Sequence, residues 1–533
     1  MRICGVGLGH DAAVALVEDG RLIFSVEMEK RDSRPRFARA ATQPGFVAAT
    51  LAAFGYQPED VDMLAIDGDP AETAAAWGPS PLPPRVEQHG HRLGNIAGTW
   101  CTSPFAQRGE PAYVLVWDGS GVPELHHLDP TAGAIVALGS VSRLPGRAYV
   151  AAGQRFGSFG PVVADGLDIA GKLMAFVALG RADAPLVAAI AAAYAETFAD
   201  GLDAAEPLDR VPAFLDGIAA RVGDATGADI LAALHLFVEA SLVAGLRRLL
   251  HGRARGALCL AGGCGLNIKW NSAIRASGLF DAVWVPPFPN NSGAAIGAAA
   301  AAHLAHSGFS ALNWSVFAGP PLPPADQLIP AGWQSRTCGA VELAGLLDAG
   351  MIIVLLSGRA EIGPRALGNR SIIAAPVSAA MRDRLNRIKR REAYRPVAPV
   401  CLRDRAPEIF DPGCDDPYML FEHRVRPAWA ARIPSVTHVD GSARVQTVER
   451  GGGSMIARVL VEYERLTGIP LLCNTSANRP GRGFFPDLRS VLEWGEVDHV
   501  WYEGVLFERE RPAPEQTMVG AGSARPVLAA AMR

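Results

Sequence analysis

The chain has no paired cysteines: its eight are scattered without a Cys-x-x-Cys spacing. It also lacks a leader-like start, because Met1-Arg2-Ile3-Cys4-Gly5 opens as a strand, without a charged stretch, an apolar core and a cleavage site. Both absences point to a reducing, cytoplasmic setting. No excess of positive charge is present either: 50 Lys and Arg stand against 54 Asp and Glu, for a net charge of −4 and a pI near 6.3. Nucleic acid is therefore not an expected partner, since backbone binding shows as a basic excess over a whole domain. The one long uncharged run, 282–325, is broken by Pro286, Pro287, Pro289, Asn290, Asn291 and Gly293. Lipid would leave its polar groups unsatisfied, so no membrane span is expected there.

What the chain does have is length and a local concentration of arginine. At 533 residues, 49% of them hydrophobic, it exceeds what one core serves, and two or more domains are expected. Between Gly358 and Arg395 stand nine Arg and one Lys against Glu361, Asp383 and Glu392. Guanidinium groups donate paired hydrogen bonds to phosphate and carboxylate oxygens, so this stretch suits a small polyanion. Spacing predicts a helix over 379–393, with Met381, Leu385 and Ile388 as an apolar stripe and Arg384, Arg387 and Arg391 beside it. Arg359, Arg365 and Arg370 fall in a Gly- and Pro-punctuated loop, at the end of a strand expected over 351–356.

Toward the N-terminus, segments 3–7, 10–17 and 20–26 read as three strands joined by tight turns. A related strand ending in a polar glycine turn returns at 113–121, ending in Asp118-Gly119-Ser120-Gly121. This weak internal duplication suggests the two-halved α/β architecture of the actin and sugar-kinase superfamily, with nucleotide between the halves. Leu258 to Asn267 reads as a buried strand running through Gly262-Gly263 into a helix, whose amides form a cradle for phosphate or ribose. Four prolines between Phe317 and Asp326 mark a domain boundary. Two further turns, 437–446 and 473–478, are dense in hydrogen-bonding side chains.

Taken together, these segments resemble the antibiotic and nodulation-factor O-carbamoyltransferases over roughly residues 2 to 510. The resemblance implies a transfer domain (1–318) similar to the threonylcarbamoyl-transfer fold, a Pro-rich linker (319–335), a YrdC-like carbamoyladenylate-forming domain (336–510) and a tail (511–533). It implies an enzyme that joins carbamoyl phosphate and ATP into carbamoyladenylate, then passes the carbamoyl group to a hydroxyl of a small-molecule natural product. In that scheme Arg359, Arg365, Arg370, Lys389, Arg391, Arg395, His438, Arg444, Asn474, Ser476 and Asn478 bind carbamoyl phosphate and ATP. Asp118, Gly119, Gly262, Gly263, Asn267 and Gly293 meet nucleotide in the N-terminal domain. His10, with Asp11, is the expected base for transfer, and Lys172 joins them as a catalytic candidate. The resemblance also leaves room for a homodimer.

At the family's metal site this chain departs from the pattern. The positions expected to supply two His and two Asp read His91, Asn95, Asp118 and Asn291. Neutral amides are weak donors to a transition metal, so tightly held iron is not expected, and two alternatives stay open: weak binding of Mg²⁺ arriving with ATP, or a site held by hydrogen bonds alone. Two other readings stay open from sequence: a tRNA threonylcarbamoyladenosine-type synthase built from the same parts, and a degenerate nucleotide-binding paralogue.

Overall fold

The computed structural model describes residues 1–31, 33–34, 44–159, 166–198, 207–325 and 329–510, so the expected tail at 511–533 lies outside the described residues. Its N-terminal lobe is built on two five-stranded sheets. The first contains β1 (Arg2–Gly7), β2 (Ala13–Glu18), β3 (Arg21–Glu27), β4 (Met63–Asp67) and β5 (Arg85–Gln88), in the order β3-β2-β1-β4-β5. The second contains β6 (Ala112–Val116), β7 (Glu124–Asp129), β8 (Ala134–Ser140), β9 (Ala257–Ala261) and β10 (Ala282–Trp284), in the order β8-β7-β6-β9-β10.

The two sheets repeat one another strand for strand. In each, the first three strands form an antiparallel meander, the fourth pairs parallel with the first and the fifth parallel with the fourth. The duplication read from two short apolar segments therefore extends through complete sheets. Helix Ala294–Ser307 lies between the sheets and is almost wholly buried. Its backbone approaches closely because small residues meet it: a Cβ on Gly5 would fall 2.0 Å from the Ala295 carbonyl oxygen, and one on Gly297 would fall 2.6 Å from that of Gly94. This packing fixes helix His91–Cys101, and with it His91 and Asn95, over the ends of the parallel strands.

The C-terminal lobe carries β11 (Trp333–Thr337), β12 (Ile353–Leu356), β13 (Arg370–Ala374), β14 (Ala398–Leu402), β15 (Phe410–Asp411), β16 (His423–Val425), β17 (Ser442–Ala443), β18 (Gln446–Val448), β19 (Leu471–Ser476), β20 (His499–Tyr502) and β21 (Val505–Arg509). Eight of them form a mixed sheet, β11-β21-β20-β12-β13-β19-β14-β18, and the other three a small separate one. The mixed sheet is hydrophobic on the face covered by helices Ala340–Asp348 and Met455–Thr467. The lobes share apolar packing: Ile362 joins the core under the first sheet, and Leu420 and Phe421 join the core of the second.

Two expectations change in detail. The arginine-bearing helix ends at Ile388 because Arg390 adopts φ +47, which turns residues 391–395 off the helix axis. Arg384 and Arg387 are consequently exposed and only Arg391 turns inward. The Pro-rich segment is no loose tether where it is described: Gly319 N–H donates to the Ala360 carbonyl, Ala360 N–H to that of Pro320, and the Tyr502 hydroxyl to that of Pro323. Among the described residues one helix, Gly227–Leu249, is long and apolar enough to cross a membrane, and here much of it is packed into the second core.

Candidate active site

Two polar regions result, and short segments join them. The first sits at the carboxyl ends of the parallel strands of the N-terminal lobe, where α/β ligand sites gather. His10 follows β1, Asp67 ends β4, Asp118 follows β6 and Gly262-Gly263 follow β9. Asp118 Oδ1 accepts from Gly263 N–H at 2.7 Å, and its Oδ2 accepts from the Asn95 amide at 2.7 Å. His91 Nδ1 lies 2.6 Å from Asp67 and its Nε2 3.3 Å from Asp118. The Asp118 hydrogen bond, then the one to Asp67, push the His91 imidazole pKa up to about 10. Asp67 carried no sequence signal; it ends β4, the equivalent of β9, and so holds in the first sheet the place that Gly262-Gly263 hold in the second.

His10 stands beside this group. Its Nδ1 is 3.2 Å from Asp11 Oδ2, and its Nε2 is 3.2 Å from the Asn291 amide nitrogen. These partners specify a tautomer with the proton on Nδ1 and the lone pair on Nε2. Asp11, at φ +60, is held in turn by the Asn290 amide at 3.0 Å. Gly262 and Gly293 leave no room for a side chain, since a Cβ would fall 2.4 Å from the Trp117 and Phe288 carbonyl oxygens respectively. Gly119 accepts from Arg147 N–H at 2.6 Å, and the Asn267 side chain caps helix Ile268–Ala276.

The donors at the expected metal site do not fit a resident transition ion. Both ring nitrogens of His91 face carboxylates, Asn95 directs its N–H at Asp118, and Asn291 directs its N–H at His10. Among the described residues no three His, Cys, Asp or Glu side chains gather as a metal-holding group.

The second region is a cavity of about 110 Å³ between the lobes. Arg365, Arg391, Arg395, His438, Arg444, Asn474, Thr475 and Ser476 line it from the C-terminal side. Gly171, Met174, Ala175, Ile268 and Lys269 line it from the N-terminal side. Seven side chains singled out from sequence thus meet here. His438 Nε2 donates to the Tyr394 carbonyl at 3.1 Å, and its Nδ1 is 3.0 Å from Asp440. Burial alone would raise the Asp440 pKa, but the hydrogen bond from His438, the charge of Lys269 and the hydrogen bond from Ser442 hold it well below the usual carboxylate range.

Asn474 presents an unusual acceptor. Its amide nitrogen donates to Ala366 and to Gln446 Oε1, while Gln446 donates to the Leu367 carbonyl, an arrangement that fixes which way the Asn474 amide points. Asn474 lines the cavity, and its Oδ1 is buried without a donor among the described residues.

Four residues expected to bind anion are placed elsewhere, each turned to the main chain. Arg359 donates to the Gly319, Ala318 and Ile23 carbonyls, and its guanidinium lies 5.2 Å from the Phe54 ring centre. Arg370, 2% exposed, donates to Ser357, Asn369, Gly358 and Pro320. Lys389 donates to the Ser476 and Asn478 carbonyls and to the Asn478 side chain, bracing the 474–478 turn from behind. Asn478 uses its amide nitrogen on Arg479 and Arg482. Lys172 pairs with Asp168 at 2.6 Å and lies 3.8 Å from Glu392, tying helix Leu167–Phe176 to the arginine segment. Lys269 and Glu422 line the cavity yet carried no sequence signal, because nothing local marks them.

Residues 2–89 and 79–300 match the family model described as carbamoyltransferase N-terminus, and residues 344–509 match that described as carbamoyltransferase C-terminus. Nodulation protein U of Rhizobium tropici is 46% identical, covering 96% of this chain and 97% of its own. The 3'-hydroxymethylcephem-O-carbamoyltransferase of Amycolatopsis lactamdurans is 33% identical over 93% of this chain and 98% of its own. Among solved structures, the activator of the 2-hydroxyisocaproyl-CoA dehydratase from Clostridium difficile with bound ADPNP aligns with 56% of the chain at 14% identity and a TM-score of 0.32. With both halves matched in order and relatives aligned over nearly their full length, the chain belongs to the carbamoyltransferase family.

Proposed function

We propose that this carbamoyltransferase makes carbamoyladenylate from carbamoyl phosphate and ATP in the cavity between its lobes, and transfers the carbamoyl group to a natural-product hydroxyl. The observation that carries this reading is the pairing, in one cavity, of Arg365, Arg391, Arg395 and Arg444 with the orphan acceptor Asn474 Oδ1. Carbamoyl phosphate is complementary to that pairing: a dianion at one end and an amide N–H donor at the other. A buried acceptor without a donor costs about 1–3 kcal/mol, which such a ligand would recover.

In this reading the C-terminal lobe, which we take as YrdC-like, runs the first half-reaction. Water cleaves carbamoyl phosphate to carbamate and phosphate; a carbamate oxygen then attacks the α-phosphorus of ATP and pyrophosphate leaves. The arginines offset negative charge as each phosphate departs. Mg²⁺ enters as part of the ATP complex. The duplicated N-terminal lobe, which we take as related to the threonylcarbamoyl-transfer fold, runs the second. The acceptor hydroxyl attacks the carbamoyl carbon, the bond to the phosphate oxygen breaks, AMP leaves, and the hydroxyl proton passes to His10 Nε2, with Asp11 orienting the ring. The acceptor is a hydroxyl of a small natural product, the class named for the cephem relative.

Pyrophosphate exchange into ATP, dependent on carbamoyl phosphate or its carbamate product, tests the first half directly. Its absence from active, folded protein would overturn the reading. A panel of hydroxylated natural products supplied with both reagents then identifies the acceptor.

A further inference from the structure

Among the described residues, Lys269 is the single cation that the N-terminal lobe places in the lining of the interlobe cavity. Its helix begins beside Gly262-Gly263, and Asn267 fixes the first turn by accepting from Lys269 N–H at 3.2 Å. The side chain is 16% exposed. An ammonium has three N–H donors. Two are taken by carboxylates of the C-terminal lobe, Glu422 and, at 2.9 Å, Asp440. The third meets no acceptor among the described residues, and the residue lines the cavity whose far wall carries the four arginines.

The two carboxylates do not need Lys269 to remain satisfied in the same degree. Asp440 also accepts from Ser442 N–H at 3.0 Å and from the Ser442 hydroxyl at 2.6 Å, and it faces His438. Glu422 has no comparable set of donors, and half-buried Glu239 lies close enough to feel its charge. A ligand phosphate can therefore recruit the third N–H without disrupting the Asp440 turn.

We infer that Lys269 is an anion-binding residue of the cavity, supplied by the opposite lobe, and that its ammonium contacts a phosphate oxygen of the bound reagent. It does so on the reading, proposed above, that phosphorylated reagents occupy the cavity. The carbamoyladenylate-forming half-reaction then requires the N-terminal lobe as part of its own binding site, and ligand binding tightens the contact between lobes.

Full-length Lys269→Met, Lys269→Gln, Lys269→Arg and Glu422→Gln variants test this by calorimetry with inorganic pyrophosphate as the probe, alongside the exchange assay. Lys269→Met and Lys269→Gln are expected to weaken pyrophosphate binding at least about tenfold, while Lys269→Arg keeps most of it. Glu422→Gln is expected to bind pyrophosphate as tightly as the parent or more tightly, because it releases the ammonium from one carboxylate. Binding by either neutral variant within about twofold of the parent overturns the inference. So does Glu422→Gln weakening binding as much as Lys269→Met, which would mark the lysine as an interlobe tie alone, and so does a parent protein that binds no pyrophosphate. Pyrophosphate binding without exchange sinks the carbamoyladenylate reading and leaves the comparison of variants to decide the role of Lys269.

Discussion

Lys30 donates from its ammonium to the main-chain oxygen of Glu361 at 2.8 Å, across 331 residues of sequence. It also donates to Gly363 at 2.5 Å and pairs with Glu27, whose carboxylate accepts from Gly363 N–H at 2.8 Å. Both side chains of the pair are 2% exposed. One buried ion pair in the N-terminal lobe thus holds the loop that delivers Arg365 to the cavity. Burial already raises the Glu27 carboxyl pKa to about 7, so Lys30→Met makes it take up a proton, leaves the Glu361 and Gly363 carbonyls without their donor, and is expected to cost about 3–5 kcal/mol of stability. Glu27→Gln combined with Lys30→Met should recover part of that loss. Denaturant midpoints check both, and a single variant as stable as the parent would refute the arrangement.

Arg395 and Arg359 are expected to fail in different ways. Arg395 lines the cavity, so Arg395→Ala should lower pyrophosphate exchange by roughly a hundredfold, the worth of a paired charged contact of about 3 kcal/mol. Its unfolding midpoint should move little. Arg359 donates to three main-chain carbonyls that join Gly319 and Ile23 to the arginine loop. Arg359→Ala should therefore cost about 2–4 kcal/mol of stability while the folded enzyme keeps its KM for carbamoyl phosphate. Measuring exchange kinetics and unfolding on the same preparations separates the two roles.

The contrast shows what a sequence displays and what it hides. Density of arginine beside glycine suggested an anion site, and seven of the eleven C-terminal residues chosen on that ground and by resemblance line one cavity. Which arginines face the cavity was not legible, because Arg359 is claimed by the Ala318, Gly319 and Ile23 carbonyls and Arg370 by Pro320 and by carbonyls of its own loop at Ser357, Gly358 and Asn369. The helix end was hidden for a related reason: Arg390 takes a left-handed turn with no glycine or proline to mark it. The sheet duplication was legible because strand–turn–strand patterns are local. Lys269 and Glu422 lie 153 residues apart, and only folding makes them neighbours.

His10 should separate the two half-reactions. His10→Ala is expected to leave pyrophosphate exchange within about twofold of the parent, since the cavity does not include it, and to lower carbamoyl transfer from supplied carbamoyladenylate by about a hundredfold or more. Equal transfer rates would remove His10 as the base.

His235 gives the N-terminal lobe an acid sensitivity with a defined sign. Burial, with a smaller contribution from the Lys269 charge, lowers its imidazole pKa to about 3. The ring is wedged against Trp270, and its Nδ1 lies 2.9 Å from the Tyr149 hydroxyl. A depressed histidine contributes stability that is present above its unfolded value of 6.5 and is lost as pH falls toward 3. Below pH 6.5 the unfolded chain gains a proton that the folded one refuses, at up to about 1.4 kcal/mol per pH unit. His235→Asn should be less stable at pH 7 yet lose less stability between pH 6.5 and 5. Parallel slopes for the two proteins would refute the assignment.

The amide-for-ligand exchange at His91, Asn95, Asp118 and Asn291 makes a prediction in the opposite direction. Asn95→His places a second imidazole one helical turn from His91, and Asn291→Asp adds a carboxylate, so the double variant presents two imidazoles and two carboxylates where the parent has one of each. Neutral amides that donate to Asp118 and His10 would be replaced by groups that can accept a cation. The parent is expected to purify with iron far below one equivalent, and the double variant to take up a divalent ion near one equivalent, read by elemental analysis after desalting. The two substitutions must act together, since either alone leaves three donors of mixed quality. Stoichiometric iron in the parent would show that two anionic or imidazole donors suffice at this position, and the hydrogen-bonded description of the site would fall.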